Sequence, residues 1–277
     1  MKTNYHTHTS YCDGKNSPEE MVLSAIEKHF DILGFSGHSM FPFSSDWHIQ
    51  AKELPSYVKE IRSLKEKYKD KLQILCGFEA DFIQGFCFPD FNTYKEFSPD
   101  FLIGSVHYIV NQKGQFTVDD SHEITMQGIH QCFNGNVKKA VQEYFYNERK
   151  MLETCNFTFL GHPDLFRKQN YKHQIFDENE SWYKSEVKAT AKVIAKSGIC
   201  VEVNTGGLSR GTTDFPYPSP YFLSLLKEYN VPVAISSDSH SASTLDFWFE
   251  QALEYMKKAG YSELTHFVNG NYVFEKI

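Results

Sequence analysis

The sequence contains no closely spaced pair of cysteines. Its six cysteines are scattered singly, and none forms a CxxC motif or a CxxxxxR phosphate loop. This absence argues against a purely structural zinc site and a thiol-phosphate mechanism. A chain of 277 residues can bury a large core without disulfides, so the cysteine usage predicts a reduced, cytoplasmic protein.

Long apolar runs and an excess of basic residues are also missing. The N-terminus MKTNYHTHTS lacks the apolar core of a signal peptide, and no run is long enough to span a bilayer. Lys and Arg total 28 against 35 Asp and Glu, a net charge of −7, so we expect neither nucleic-acid nor membrane partners. An anionic substrate would therefore need metal ions or a few placed arginines. The oligomeric state is left open.

Short apolar runs alternate with helical patterns along the whole chain, as in βα units around a parallel sheet or barrel. The strand-like runs are Tyr5 to His8, Asp31 to His38, Leu72 to Phe82, Phe101 to His107, Phe157 to Asp164, Ile199 to Thr205 and Pro232 to His240. The helical patterns are Ser17 to Phe30, Leu54 to Lys69, Val137 to Thr154, Ser181 to Ser197, one opened by Ser219-Pro220 and one after Ser243. No repeat or linker is evident, so residues 1–277 are predicted to form one α/β domain.

The pattern fits either an open doubly wound sheet or a closed or distorted barrel. Three segments, 41–56, 109–134 and 166–180, are longer than ordinary connections. We predict that they are loops that shape a pocket or lid.

A metal-capable side chain ends nearly every strand-like run. The first run ends in His6-Thr7-His8 and the last in Asp238-Ser239-His240, and a period of two places each pair on one face. The runs between them end at His38, Glu79, His107 and His162. Because the carboxyl ends of barrel strands meet at one end, where barrel active sites form, these positions favour the barrel.

A single histidine at a strand end is more often a hydrogen-bonded core or capping residue than a ligand. Six of the twelve histidines nevertheless occupy this same position, at the ends of strand-like runs, which chance would not produce. We expect the other six to be solvated or locally bonded: His29, His48, His122, His130, His173 and His266. Asp119-Asp120 is likewise predicted to be a solvated turn.

Imidazoles combined with carboxylates suit Zn, Fe or Mn. One ion would be oversaturated by this many ligands, so we expect two or three divalent ions, with Glu79 as the bridging carboxylate.

The motifs resemble the polymerase and histidinol phosphatase (PHP) family over essentially the full chain. They are His6-Thr7-His8, Asp13-Gly14, Gly37-His38, Gly77-Phe78-Glu79-Ala80-Asp81, Ser105-Val106-His107, Gly161-His162-Pro163-Asp164, Glu202-Val203-Asn204 and Ser237-Asp238-Ser239-His240. The resemblance implies a distorted (β/α)7 barrel with a trinuclear site. It assigns three ligand sets: His6, His8, Glu79 and Asp238; Glu79, His107 and His162; and Asp13, His38 and His240. Asp13 stands where some members have histidine.

Two further segments, GHPDLFRK and EVNTGGLSR, resemble the stand-alone histidinol-phosphate phosphatases of histidine biosynthesis. They contain Arg167 and Arg210, whose guanidinium groups can clamp phosphate oxygens. The expected reaction is hydrolysis of the monoester L-histidinol phosphate by a metal-bridging hydroxide. Asp238 or His240 would orient the hydroxide or protonate the leaving group.

Three alternatives remain open. A nucleotide or phosphotyrosine phosphatase would stay within the family, and an inert metal-binding module would show broken ligand sets, which this sequence does not. An amidohydrolase would also use an H-x-H pair, but it expects a metal-bridging lysine on a middle strand. Phe101 to His107 contains no lysine, and Glu79 is present instead.

Overall fold

Twelve strands and nine α-helices occur along the chain in the computed structural model, which describes residues 1–277. The strands are β1 Thr3–Asn4, β2 Ile32–Phe35, β3 His38–Ser39, β4 Gln73–Asp81, β5 Phe101–Ser105, β6 Tyr108–Asn111, β7 Gly114–Thr117, β8 Phe159–Leu160, β9 Cys200–Asn204, β10 Val233–Ser236, β11 Glu263–Val268 and β12 Asn271–Lys276. The helices are α1 Pro18–Glu27, α2 Leu54–Lys67, α3 His122–Phe133, α4 Val137–Thr154, α5 Asn170–His173, α6 Ser181–Ser197, α7 Gly206–Ser209, α8 Pro220–Glu228 and α9 Phe249–Lys258. None of the helices combines the length and apolarity needed to cross a membrane.

The main sheet is parallel and has the order β1-β2-β4-β5-β8-β9-β10, with β3 paired to the upper part of β4. Its two edges meet at their carboxyl ends, where the His8 amide donates to the Ser239 carbonyl at 2.9 Å and the Ser239 amide donates to the His6 carbonyl at 3.2 Å. The sheet is therefore a nearly closed seven-stranded barrel. This confirms the predicted distorted (β/α)7 barrel and excludes the open doubly wound sheet.

Local sequence signals account for most helix bounds. At the start of α1, the Ser17 hydroxyl accepts from the Glu20 amide and the Glu20 carboxylate accepts from the Ser17 amide, with Pro18 in the first helical position. Helices α4 and α6 have the bounds predicted for them. Helix α1 ends three residues early, at Glu27, because the chain turns at His29, whose φ is +58°.

The barrel interior has an apolar layer beneath its carboxyl end. Tyr5 stacks on Phe159 with ring centroids 4.9 Å apart, and Phe101 packs edge-on against both rings. Alternation along β4 places Leu75 in this layer and Glu79 above it. Between them, a Cβ on Gly77 would lie 2.6 Å from Phe101, so only glycine fits there. The polar site rests on this aromatic layer.

The prediction that 109–134 and 166–180 are loops was wrong. The first contains the β6–β7 hairpin, closed by a turn in which Asn111 Oδ1 accepts from the Lys113 amide, and α3, which is capped by the Ser121 hydroxyl. His122 and His130 are therefore helical. The second contains a 3₁₀ helix, Leu165–Gln169, and α5, which includes His173. The last helix begins at Phe249, after a 3₁₀ turn at Ala242–Thr244.

Candidate metal centre

Glu79 lies at the centre of a buried group of histidines at the carboxyl end of the barrel. Its Oε2 atom is 2.8 Å from His38 Nδ1, 3.1 Å from His6 Nε2 and 3.6 Å from His8 Nε2. Its Oε1 atom is 2.9 Å from His162 Nε2 and 3.4 Å from His107 Nε2. One carboxylate therefore faces five imidazoles contributed by four strand ends, because His6 and His8 both follow β1.

The remaining predicted ligands extend this group toward solvent. Asp238 Oδ1 lies 3.2 Å from His8 Nε2 and 3.6 Å from His240 Nδ1. Asp13 Oδ2 lies 3.1 Å from His240 Nε2, and Asp13 Oδ1 lies 3.7 Å from His38 Nε2. All nine predicted ligands thus lie in one connected cluster. The assignment of each ligand to a particular ion stays a prediction.

Four overlapping sets of these side chains have donor atoms close enough to share an ion. The sets are His8, Asp13, His38 and His240; His6, His8 and Asp238; His6, Glu79 and His162; and His38, Glu79 and His107. The first set contains the whole predicted third site together with His8. Asp13 is its most exposed member, so this set lies at the open side of the cluster.

The residues fit metal ions because they leave buried polar atoms without hydrogen bonds. Glu79 Oε2, His6 Nε2, His8 Nε2 and His38 Nδ1 are buried and face one another, yet none has a hydrogen-bond partner. Orphaned buried polar atoms are costly and uncommon in native proteins. Divalent ions coordinated by these atoms would remove that cost.

The electrostatics of the cluster also suit cations. Burial would raise the pKa of Glu79, but His6, His38 and His107 outweigh it and hold that pKa well below its usual range. Burial and the neighbouring His240 and His38 lower the pKa of His8 well below its usual range. The carboxylate is thus ionised and this imidazole is neutral, the protonation states required of metal ligands.

Around His6 the balance is reversed. Burial alone would lower the pKa of His6, but the carboxylates of Glu202, Glu79 and Asp238 outweigh it and raise the pKa well above its usual range. This corner of the cluster therefore favours a positive charge, which a metal ion would supply in place of the proton.

Two further carboxylates orient the histidines. Glu202 lies 2.8 Å from His6 Nδ1 and also accepts from the His162 amide at 2.9 Å. Asp81 Oδ1 lies 2.9 Å from His107 Nδ1, and Asp81 Oδ2 lies 2.6 Å from His48 Nε2. Such carboxylates fix the ring orientation and tautomer of a ligand histidine. Asp81 and Glu202 belong to the motifs that resemble the PHP family, and His48 is a buried histidine held by Ser45 and Asp81 outside every metal-capable set.

Replacing Glu202 with glutamine should lower the affinity for metal about 10- to 100-fold, as is usual when a carboxylate supporting a ligand histidine is lost. The reason is that the amide cannot reproduce the charged contact to His6. Titration of metal-free protein with Zn²⁺ against a competing chelator measures this change. Glu263→Gln, at an exposed position on β11, serves as the control. Equal affinities in the two variants would refute the supporting role.

The two predicted phosphate-binding arginines occupy different positions. Arg210 Nη2 lies 2.8 Å from Asp238 Oδ2, and Arg210 lines a cavity of about 320 Å³ that opens on the metal cluster. Arg167 does not line this cavity. Its Nε donates to Glu178 Oε2 at 2.9 Å, it lines a separate cavity with Glu178, and its buried Nη1 has no hydrogen-bond partner.

Several other side chains line the central cavity that sequence reasoning did not assign to it. They are Trp47, Thr117, Asp119, Asp120, Leu165, Lys168, Thr212 and Tyr217. Asp119 and Asp120 belong to the wall of the cavity instead of forming a merely solvated turn. The signal available in the sequence was their place in one of the three long segments predicted to shape a pocket.

The family model for the PHP domain matches residues 4–206, which include most of the cluster. The chain belongs to the PHP domain family. A curated histidinol-phosphatase from Bacillus subtilis (strain 168) is 24% identical over 273 residues, covering 92% of this chain and 99% of that protein.

Solved structures show the same PHP domain fold. A Listeria monocytogenes protein, provisionally named a histidinol phosphatase, superposes with a TM-score of 0.80 at 26% identity, over 90% of this chain and 99% of that one. A histidinol phosphate phosphatase from Lactococcus lactis, solved with zinc, L-histidinol and phosphate, gives a TM-score of 0.73 at 22% identity, over 98% of both chains.

Proposed function

We propose that this protein is a metal-dependent phosphatase that hydrolyses L-histidinol phosphate to L-histidinol and phosphate, the monoester hydrolysis expected in histidine biosynthesis. The observation that carries the proposal is the convergence of nine metal-capable side chains, from positions 6 to 240, at one end of the barrel. The curated relative named histidinol-phosphatase, which covers 92% of the chain, supports the choice of substrate. We propose that residues 1–277 act as one PHP-type unit.

The ligand set would hold two or three divalent ions, with Glu79 bridging and zinc, iron or manganese as candidates. Such ions supply Lewis-acid stabilisation of phosphoryl charge and lower the pKa of water toward neutrality, so that hydroxide is available as the nucleophile. The zinc bound in the Lactococcus lactis structure supports this choice of cofactor.

Arg210 is placed to hold the phosphoryl group. Its guanidinium is fixed by Asp238 Oδ2 at 2.8 Å and by the Asp238 carbonyl at 2.9 Å, and it borders the cavity beside His240. Positive charge fixed at this position stabilises the charge that develops on the phosphoryl oxygens. We keep Arg167 as a second proposed phosphate-binding residue because its buried Nη1 atom has no hydrogen-bond partner, although it lines a separate cavity.

Asp238 and His240 are the candidates for handling protons. The Asp238 carboxylate already contacts His8 through Oδ1 and Arg210 through Oδ2, which suits it to orient the attacking water. His240 is only partly buried and borders the cavity. We therefore assign it the protonation of the departing alkoxide.

Phosphate release tests the proposed reaction directly. We expect turnover of L-histidinol phosphate at a higher kcat/KM than of a nucleotide monophosphate, phosphotyrosine or p-nitrophenyl phosphate. A chelator should abolish all turnover, and added Zn²⁺ or Mn²⁺ should restore it. Turnover that survives complete metal removal would refute the metal mechanism. A preference for another ester would refute only the substrate assignment.

A further inference from the structure

Asp119 is a carboxylate in the central cavity that belongs to none of the predicted metal-ligand sets. It follows strand β7, is half-buried and lines the cavity together with Arg210 and His107. Its side-chain oxygens form no hydrogen bond or ion pair with the protein. The neighbouring Asp120 differs, since its carboxylate accepts from the Ser121 amide at 2.6 Å and from the Thr117 hydroxyl at 3.3 Å.

The backbone on both sides of Asp119 is held in place. The Gln169 side-chain amide is buried and donates to the Val118 carbonyl at 3.0 Å and to the Asp120 carbonyl at 2.9 Å. The Lys168 ammonium donates to the carbonyl of Asp119 itself. Three consecutive carbonyls are thus fixed by two adjacent residues of the 3₁₀ helix. This arrangement presents an unpaired carboxylate in a preorganised position, as a binding group requires.

The carboxylate of Asp119 interacts electrostatically with Arg210, a cationic group of the cavity lining. Although burial opposes it, Asp238 and, more weakly, Asp119 raise the pKa of Arg210 above its ordinary value. Arg210 is bonded to Asp238, and no protein cation makes direct contact with the Asp119 carboxylate. A ligand that places a cation at this position would gain a charge-assisted hydrogen bond.

We propose that Asp119 binds the ammonium group of the substrate, so that the site selects phosphate monoesters of amino alcohols. This inference rests on the proposed function. A substrate of this class carries an anion at one end and a cation at the other. The metal cluster, Arg210 and Asp119 line one cavity, so a single ligand can place its phosphate on the first two and its ammonium group on Asp119. Asp119 is then a specificity residue, with no part in the chemical step.

The test compares Asp119→Asn with the wild-type enzyme on three esters: L-histidinol phosphate, O-phosphoethanolamine, which keeps the ammonium group, and p-nitrophenyl phosphate, which has no cation. We expect kcat/KM for the two cationic esters to fall about 10- to 100-fold, mainly through KM, which is the usual effect of losing one charge-assisted hydrogen bond. Hydrolysis of p-nitrophenyl phosphate should change by less than about twofold, because it never made this contact.

Inhibition supplies a second readout, which does not depend on turnover of the cationic esters. L-Histidinol should inhibit p-nitrophenyl phosphate hydrolysis competitively in the wild type, with an inhibition constant about 10- to 100-fold higher in Asp119→Asn. Asp120→Asn is the matched control, since that carboxylate lines the same cavity but is already bonded. It should behave as the wild type does.

The outcomes separate this inference from the proposed function. An equal loss on all three esters, or unchanged inhibition by L-histidinol, would overturn the role of Asp119 and leave the phosphatase assignment standing. A wild-type enzyme that hydrolyses other monoesters but not L-histidinol phosphate would overturn the proposed substrate. In that case, hydrolysis of O-phosphoethanolamine and inhibition by L-histidinol still test the role of Asp119.

Discussion

Glu79→Ala is expected to lower phosphatase activity by at least about 10³-fold and to reduce the number of tightly bound metal ions. It removes the carboxylate that two of the four ligand sets share, the set with His6 and His162 and the set with His38 and His107. Five imidazole nitrogens lie between 2.8 and 3.6 Å from its two oxygens. Without that negative charge, ions held by neutral histidines would repel one another. Steady-state phosphate release and metal analysis of the purified variant measure the two effects.

Glu148→Gln is the matched control for Glu79, since Glu148 is equally buried but lies on α4. Burial, reinforced by Asp164, raises the pKa of Glu148 well above its usual range, so a neutral amide should replace this carboxyl group with little effect. The pKa of Glu79 is instead lowered well below its usual range, so a neutral amide would remove its negative charge. Glu79→Gln should therefore be nearly as damaging as the alanine variant. A fully metallated Glu79→Ala protein that melts at the wild-type temperature would contradict a bridging carboxylate.

Arg210→Ala is expected to lower kcat/KM by about 10² to 10³-fold, the usual cost of losing one fixed donor to transition-state charge. The loss should appear in kcat as well as in KM, since Arg210 is held at the cavity by two contacts to Asp238. Arg167→Ala should have a smaller effect, about tenfold and mainly on KM, because Arg167 lies outside the cavity lining.

Arg149→Ala is the control for both arginines. Arg149 pairs with Glu186 between α4 and α6, away from the cavity, and its loss should leave the kinetics unchanged. Arg210→Lys should recover part of the activity lost in the alanine variant, since it restores the charge but not the paired donors. Wild-type kinetics for Arg210→Ala would refute the proposed phosphate contact.

The barrel and eight of the nine residues of the cluster could be predicted because they depend on strand periodicity, whereas Asp13 lies in a loop and was given only by the family resemblance. Alternation along β4 dictates that Leu75 and Glu79 share a face, and parallel strand ends must meet, so His107 and His162 are brought together whatever the connecting loops do. Helix α6 was equally predictable, and its C-terminal end is marked by Gly198, whose φ of +70° favours glycine.

The segments inserted between the barrel strands could not be predicted in this way. The sequence of the 109–134 segment does not predict its hairpin, because the two strands have only four residues each and their packing depends on α3. The orientation of Arg167 depends on Glu178, eleven residues later, and no spacing rule links the two. Asp119 is similar, because the side chains that fix its backbone lie 49 residues or more away.

The metal centre is tested most directly by a crystal structure of the metal-loaded protein, with anomalous scattering recorded at the absorption edge of the bound metal. We expect two or three anomalous peaks at the carboxyl end of the barrel, with Glu79 oxygens and nitrogens of His6 and His162 about 2.0 to 2.2 Å from them. Peaks bound elsewhere, or fully loaded protein in which Glu79 contacts no ion, would contradict this prediction.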